Sequence, residues 1–104
     1  MSLNDRVRCS SLHDRIMSAE QAAALIPNGA NVGMSGFTGA GYPKALPQAI
    51  AAHAKAAHAA GKPYKINVWT GASTAAECDG AMASAQAMGQ RLPFNTDPTA
   101  RKAV

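Results

Sequence analysis

Gly36, Gly39 and Gly41 crowd into the six-residue stretch Gly36-Phe37-Thr38-Gly39-Ala40-Gly41, between a strand-like segment and a helical pattern that opens on proline. Glycine at that density lets the backbone turn with positive φ and come close to another group. N–H groups at a loop leading into a helix suit an anion or a developing oxyanion. The spacing is G-x-x-G-x-G, not the G-x-G-x-x-G of a dinucleotide fold, and a G-x-x-x-x-G-K-[ST] phosphate loop is absent. A tight strand-to-helix turn without a ligand fits the same residues. A second polar loop, Gly71-Ala72-Ser73-Thr74, follows a second strand-like run. Ser73 and Thr74 bring hydroxyl and N–H donors for a carboxylate or phosphate. They suit the N-cap of the following helix equally well, and the two roles are compatible because a helix N-terminus itself attracts anions.

Other reactive residue types are sparse. His53 and His58 lie about 140° apart around a helix, a poor geometry for one metal ion. His53 falls on an apolar face and is expected to pack. Cys9 and Cys78 form no C-x-x-C pair, which argues against a zinc site and a disulfide framework and fits reduced thiols in a cytoplasmic protein. No pair among Asp5, Asp14, Glu20, Glu77, Asp79 and Asp97 reads as an acid–base couple, and no side chain reads as a nucleophile. Neither a catalytic residue nor a metal ligand is expected in the chain.

The elements that must position the two loops follow from pattern. Ser18 and Gln21 form a capping box, predicting a helix through Ile26 that Pro27-Asn28-Gly29 stops. Ala30 to Ser35 alternates as a strand. Pro43 or Pro47 fits the first turn of a helix whose Leu46, Ile50, His53 and Ala57 share a face, with Gly61 as its stop. Tyr64 to Thr70 alternates as a second strand, with Trp69 on the Lys65/Asn67 face covering a neighbouring element. Ala75 to about Gln86 reads as a helix, with Glu77 and Asp79 in its first turns matching the helix dipole and Gly89 ending it. Arg91 to Pro98 reads as extended. Phe37 and Tyr42 are expected to pack, or Tyr42 to anchor the glycine loop. A strand, a long crossover and a second strand mean parallel pairing with a right-handed connection. The expected fold is therefore α/β, a partial open parallel sheet with flanking helices. Both loops fall beyond the C-terminal ends of its strands, where such sheets bind ligands.

At 104 residues the chain holds at most one small domain. Apolar residues make up 47%, but much of that is alanine, so the core is thin. The net charge is +4, from basic residues scattered without a run or a stripe with interleaved aromatics. That pattern argues against nucleic-acid binding and is compatible with anionic metabolites. No apolar run is long enough for a membrane span, and the N-terminus lacks the apolar core of a secretory signal.

Asn28-Gly29-x-x-Val32-x-x-x-Gly36-Phe37-x-x-x-Gly41-x-Pro43 resembles the N-terminal signature of coenzyme A transferases. The fuller string Met34 to Lys44, with Thr70-Gly71-Ala72-Ser73-Thr74, Asp79-Gly80 and Pro93-Phe94-Asn95-Thr96-Asp97 in order, is similar to the acetyl-CoA hydrolase/transferase branch. Ser35 stands where the broader signature has glycine, a change the branch tolerates. The resemblance implies a CoA-transferase type of α/β fold and acyl chemistry through a glutamyl-CoA thioester. Coenzyme A is then a substrate, and no other cofactor is implied. By position, Ser73 and Thr96 would help hold a small carboxylate, and Gly36, Phe37, Thr38, Gly39, Ala40 and Gly41 would shape the acyl pocket. The family's nucleophilic glutamate lies in a later domain, and neither Glu20 nor Glu77 sits in a matching context. Residues 1–104 then correspond to a truncated N-terminal part of the family's N-terminal domain. Its partners would be acyl-CoA, a carboxylate such as acetate, succinate or propionate, and the remainder of an enzyme that dimerises when full length. A sheet cut to two or three strands leaves apolar faces uncovered, so the isolated chain is expected to self-associate. A non-catalytic phosphate- or nucleotide-binding module and an inert fragment are the alternative readings.

Overall fold

The computed structural model describes residues 3–37, 40–72 and 74–92 together with Ala100 and Lys102. Helix α1 (Leu3–Arg6) and a 3-10 turn (Ser10–Arg15) precede helix α2 (Ala19–Ala24). Strand β1 (Asn31–Met34), helix α3 (Leu46–Ala59) and strand β2 (Ile66–Thr70) follow. A π-turn (Ala76–Gly80), helix α4 (Ala81–Ser84) and strand β3 (Met88–Leu92) come next. The strands form one parallel sheet in the order β1-β2-β3. This is the expected α/β arrangement.

The capping box is present in full. Ser18 Oγ accepts the Gln21 N–H at 3.1 Å, and Gln21 Oε1 accepts the Ser18 N–H at 2.9 Å. Two N–H groups at the start of α2 are satisfied reciprocally. After α2, Gly29 takes φ +84°, and this turn is stitched to the start of β2. Asn28 Oδ1 accepts the Lys65 N–H, and the Gly29 N–H donates to the Lys65 carbonyl. Pro47 sits in the first turn of α3, and Gly61 at φ +76° lets the chain leave it.

Sequential parallel order with right-handed crossovers puts every connecting helix on one face of the sheet. Accordingly α3 packs against α2, α4 and the π-turn. Ile50, Ala54, Ile66, Val68, Met82 and Met88 meet in the core, with Val32 and Met34 at its edge. The opposite face carries Asn31, Gly33, Asn67, Trp69 and Leu92. Trp69 is 48% exposed there and Leu92 47%, so Trp69 covers less than the sequence suggested. Asn67 bridges this face, donating to Asn31 Oδ1 and accepting the Gln90 N–H.

His53 packs its ring edge-on against Tyr64, with centroids 4.8 Å apart. The Tyr64 hydroxyl donates to the Ile26 carbonyl at 2.9 Å and ties the end of α2 to the approach of β2. Burial raises the Tyr64 phenol above its ordinary value. Tyr64→Phe should lower stability by about 1 kcal/mol, read from the urea midpoint at constant slope, because one buried hydrogen bond is lost while the ring stays packed.

Two expectations need correction. The helix expected over Ala75 to Gln86 is split into a π-turn and a single α-turn. Thr74 and Asp79 exchange hydrogen bonds across that segment and widen it. Gly89 does not end a helix. The chain reverses earlier, at Gln86 with φ +56°, and Gly89 lies in β3, where a Cβ would stand 3.0 Å from Asn67 Oδ1. The strand therefore starts at Met88, ahead of the extended run expected from Arg91 to Pro98, of which residues 93–98 lie outside the described residues.

Candidate functional site

In a parallel sheet the segments leaving neighbouring strands emerge at the same rim. β1 and β2 are such neighbours, with Met34 opposite Thr70. The two loops singled out by sequence therefore start side by side, and they touch. A Cβ added at Gly36 would stand 2.5 Å from Thr74 Cγ2 and 3.3 Å from Tyr42 Cβ. Only a bare Cα fits between the loops at that point.

The first loop closes on itself. Ser35 Oγ donates to the Gly41 carbonyl at 2.7 Å, and Phe37 and Ala40 exchange two backbone hydrogen bonds of 2.9 Å. Gly41 takes φ +73°. Tyr42 then turns inward, 8% exposed, and its hydroxyl donates to Glu77 Oε2 at 2.9 Å. Lys44 Nζ lies 3.3 Å from the Tyr42 ring centroid and 4.0 Å from Glu77 Oε2. Both charged side chains are mostly exposed, so the ion pair itself contributes little. The Tyr42–Glu77 contact is what straps the first loop to the π-turn.

The second loop is held from beneath. Asp79 and Arg91 are fully buried and face each other inside the sheet–helix interface. Arg91 Nε donates to Asp79 Oδ1 at 2.6 Å and Arg91 Nη2 to Asp79 Oδ2 at 2.9 Å. This is the bidentate fork that guanidinium and carboxylate planes favour. Asp79 Oδ2 also accepts the Thr74 N–H at 2.9 Å, and the Asp79 N–H donates to Thr74 Oγ1 at 3.2 Å. Arg91 Nη1 donates to the Leu92 carbonyl, and Nη2 reaches the Ala72 carbonyl at 3.5 Å. Burial alone would raise the Asp79 carboxyl. The Arg91 guanidinium and the hydroxyl and N–H of Thr74 outweigh it and hold the group below the ordinary carboxylate range.

The neighbouring Cys78 thiol is pushed up by burial, with the Asp79 charge adding to the effect against the Thr74 hydroxyl. The thiolate is the reactive form. A thiol reagent is therefore expected to label exposed Cys9 in the native chain and to reach Cys78 only in denaturant, as counted by mass spectrometry.

Of the residues expected to line the site, Gly36, Phe37, Ala40 and Gly41 gather in the first rim loop. Thr38, Gly39, Ser73 and Thr96 lie outside the described residues. Phe37 does not pack into the core: it is 67% exposed, whereas Tyr42 anchors the loop. The sequence offered Tyr42 as the loop's anchor, but Ser35, Glu77, Asp79 and Arg91 were missed as residues that hold the rim. Asp79 and Arg91 sit on different elements twelve positions apart, and no local spacing connects them. A lone Asp after a helix-start pattern reads as a dipole partner. Its burial against Arg91 appears only once β3 is placed.

A separate groove of about 390 Å³ runs along the far end of α3, lined by His53, Lys62, Tyr64 and alanine methyls. It lies by the approach to β2, at the opposite end of the sheet from the rim. Its walls are mostly apolar, whereas the polar groups of the two loops meet at the rim. Among the described residues no group of three His, Cys, Asp or Glu side chains gathers to hold a metal ion, and no helix is long and apolar enough to cross a membrane.

Comparison with known proteins gives one consistent result. The model of the acetyl-CoA hydrolase/transferase N-terminal domain matches residues 1–104. The chain is 46% identical over 88 residues to the propanoyl-CoA:succinate CoA transferase of Escherichia coli, covering 85% of this chain and 18% of that protein. It is 37% identical over 99 residues to the succinyl-CoA:acetate CoA-transferase of Clostridium kluyveri, covering 95% and 18% respectively. It is 32% identical over 103 residues to the acetyl-CoA hydrolase of Neurospora crassa, covering 99% and 19%. The chain thus spans less than a fifth of the length of these relatives, all of them enzymes. On the whole-chain match and these identities, the chain belongs to the acetyl-CoA hydrolase/transferase family, of which it spans an N-terminal part.

Proposed function

We propose that this chain supplies the carboxylate-holding rim of an enzyme that moves coenzyme A between small carboxylic acids such as acetate, succinate or propionate. The observation that carries the reading is the contact of Gly36 with Thr74, which joins the two polar loops at the ligand-binding end of a parallel sheet. The relatives' names supply the substrate class: acyl-CoA and a small carboxylate.

In the proposed reaction a glutamate carboxylate attacks the thioester carbonyl, giving a mixed anhydride and CoA thiolate. The thiolate attacks the glutamyl carbonyl, releasing the first carboxylate and forming a glutamyl-CoA thioester. An incoming carboxylate attacks that thioester, giving a new anhydride and thiolate. The thiolate then takes the acyl group and frees the glutamate. Water in place of the incoming acid gives hydrolysis. The attacking glutamate would come from outside residues 1–104. Glu77 does not serve: it accepts the Tyr42 hydroxyl and has Lys44 beside it, so its carboxylate braces the rim. The role of residues 1–104 is to orient the acid and shape its pocket.

Calorimetric titration tests this. Acetate and succinate should bind while nucleotides give no heat, and the chain should release no thiol from acetyl-CoA. Nucleotide binding without a carboxylate response would contradict the reading, as would thiol release that Glu77→Gln abolishes.

A further inference from the structure

We infer that Asp79 and Arg91 are positioning residues of the carboxylate rim, a buried clamp that grips the second loop on both sides of position 73 and sets its distance from Gly36. The inference rests on the carboxylate reading above. It starts from a cost. Two fully desolvated charges are an expensive way to hold a core together, and a buried pair is often replaced by apolar side chains with no loss of stability. The geometry gives the pair a different task.

Each partner divides its hydrogen bonds between the other and the loop. Asp79 Oδ2 takes Arg91 Nη2 and the Thr74 N–H together, both at 2.9 Å. Arg91 Nη2 extends to the Ala72 carbonyl, and Nη1 fixes the Leu92 carbonyl at the end of β3. The residues before and after position 73 are thus tied to one ion pair. Thr74 passes the constraint on, because its Cγ2 occupies the space that a Cβ on Gly36 would need. Two residues upstream of Asp79, Glu77 holds Tyr42 and with it the end of the first loop. One π-turn therefore carries the tethers of both loops. A widened turn brings Asp79 back over Thr74, and single π-turns of this kind recur at functional sites. A ligand gripped by two loops is sensitive to displacements of the order of 1 Å.

The test separates holding the fold from holding the rim. In the double variant Asp79→Leu/Arg91→Met the pair is replaced by apolar side chains of comparable volume, and thermal unfolding should stay within a few degrees of the parent chain. Native-state hydrogen exchange should then accelerate at the Thr74 amide by about tenfold or more, while the Asn67 amide, bonded to the Ala30 carbonyl in the sheet, keeps its protection. Acetate affinity should fall by about tenfold, roughly the loss of one hydrogen bond. Unchanged Thr74 exchange and unchanged acetate affinity in the folded double variant would overturn the inference. Should the double variant not fold, Thr74→Val removes only the hydroxyl that accepts from Asp79. It should weaken acetate binding; a Thr74→Val chain that binds acetate like the parent overturns the inference. The two readings fail separately. A parent chain that binds no acetate removes the carboxylate reading and leaves the exchange measurement to decide the clamp. Unchanged Thr74 exchange removes the clamp and leaves acetate binding standing.

Discussion

Asp79→Ala is expected to lower the stability of the chain by about 3–5 kcal/mol, because it strands the Arg91 guanidinium in the core without its partner. One further bond goes with it: the Thr74 N–H loses its acceptor, while the backbone N–H of position 79 can still donate to Thr74 Oγ1. Small domains carry only about 5–15 kcal/mol in total, so this one change removes a large share. Urea denaturation followed by the fluorescence of Trp69, the chain's one tryptophan, measures it. The same group gives a pH signature. Its folded value is lowered, so its contribution is fully present above the unfolded value of about 3.9. The contribution is lost as pH falls from there through the lower folded value. The Cys78 thiol, raised by burial, stays neutral over this range. Stability should therefore drop below about pH 4 in the parent chain, and the drop should be shallower in Asp79→Leu/Arg91→Met. A parent and double variant with identical acid profiles would exclude the charged pair as its source.

Gly36→Ala is the second large effect. The new methyl must displace either Thr74 Cγ2 or Tyr42 Cβ, and both side chains are buried. Neither atom is the free end of a flexible side chain, so the loops must part. Overpacking of this kind costs about 1–3 kcal/mol. Thr74→Ser removes the obstructing methyl while keeping the hydroxyl that accepts from Asp79. In a double-mutant cycle, Gly36→Ala in the Thr74→Ser background should therefore cost less than in the parent. The coupling should be about 0.5–3 kcal/mol, as for residues in contact. Additive costs would mean that the two loops do not meet.

How much of this was legible beforehand depends on the range of the interaction that decides each element. The capping box of Ser18 and Gln21, the proline start of α3 and the alternation of β2 are local signals, and each gave its element. The glycine loop was visible for the same reason: Gly36 and Gly41 are required by contacts and φ values within a few residues or across one sheet neighbour. The segment after β2 was not. Its alanines favour a continuous helix, yet Asp79 is drawn back onto Thr74 and across to Arg91, and tertiary hydrogen bonds override local propensity. β3 was hidden by Gly89, which reads as a helix stop but is there because Asn67 comes close. Phe37 was expected to pack because a large apolar ring favours burial, but it stands exposed, while Tyr42, the anchor the sequence offered, is buried and has Glu77 for its hydroxyl.

The central claim is that both loops form one carboxylate-binding rim. Amide chemical shifts of the labelled chain, followed during a titration with acetate, test it most directly. Gly36, Gly71 and Thr74 should move together and saturate with a single dissociation constant. Shifts confined to residues around His53 and Lys62, at the far end of α3, or no saturable shift at either loop, would contradict it.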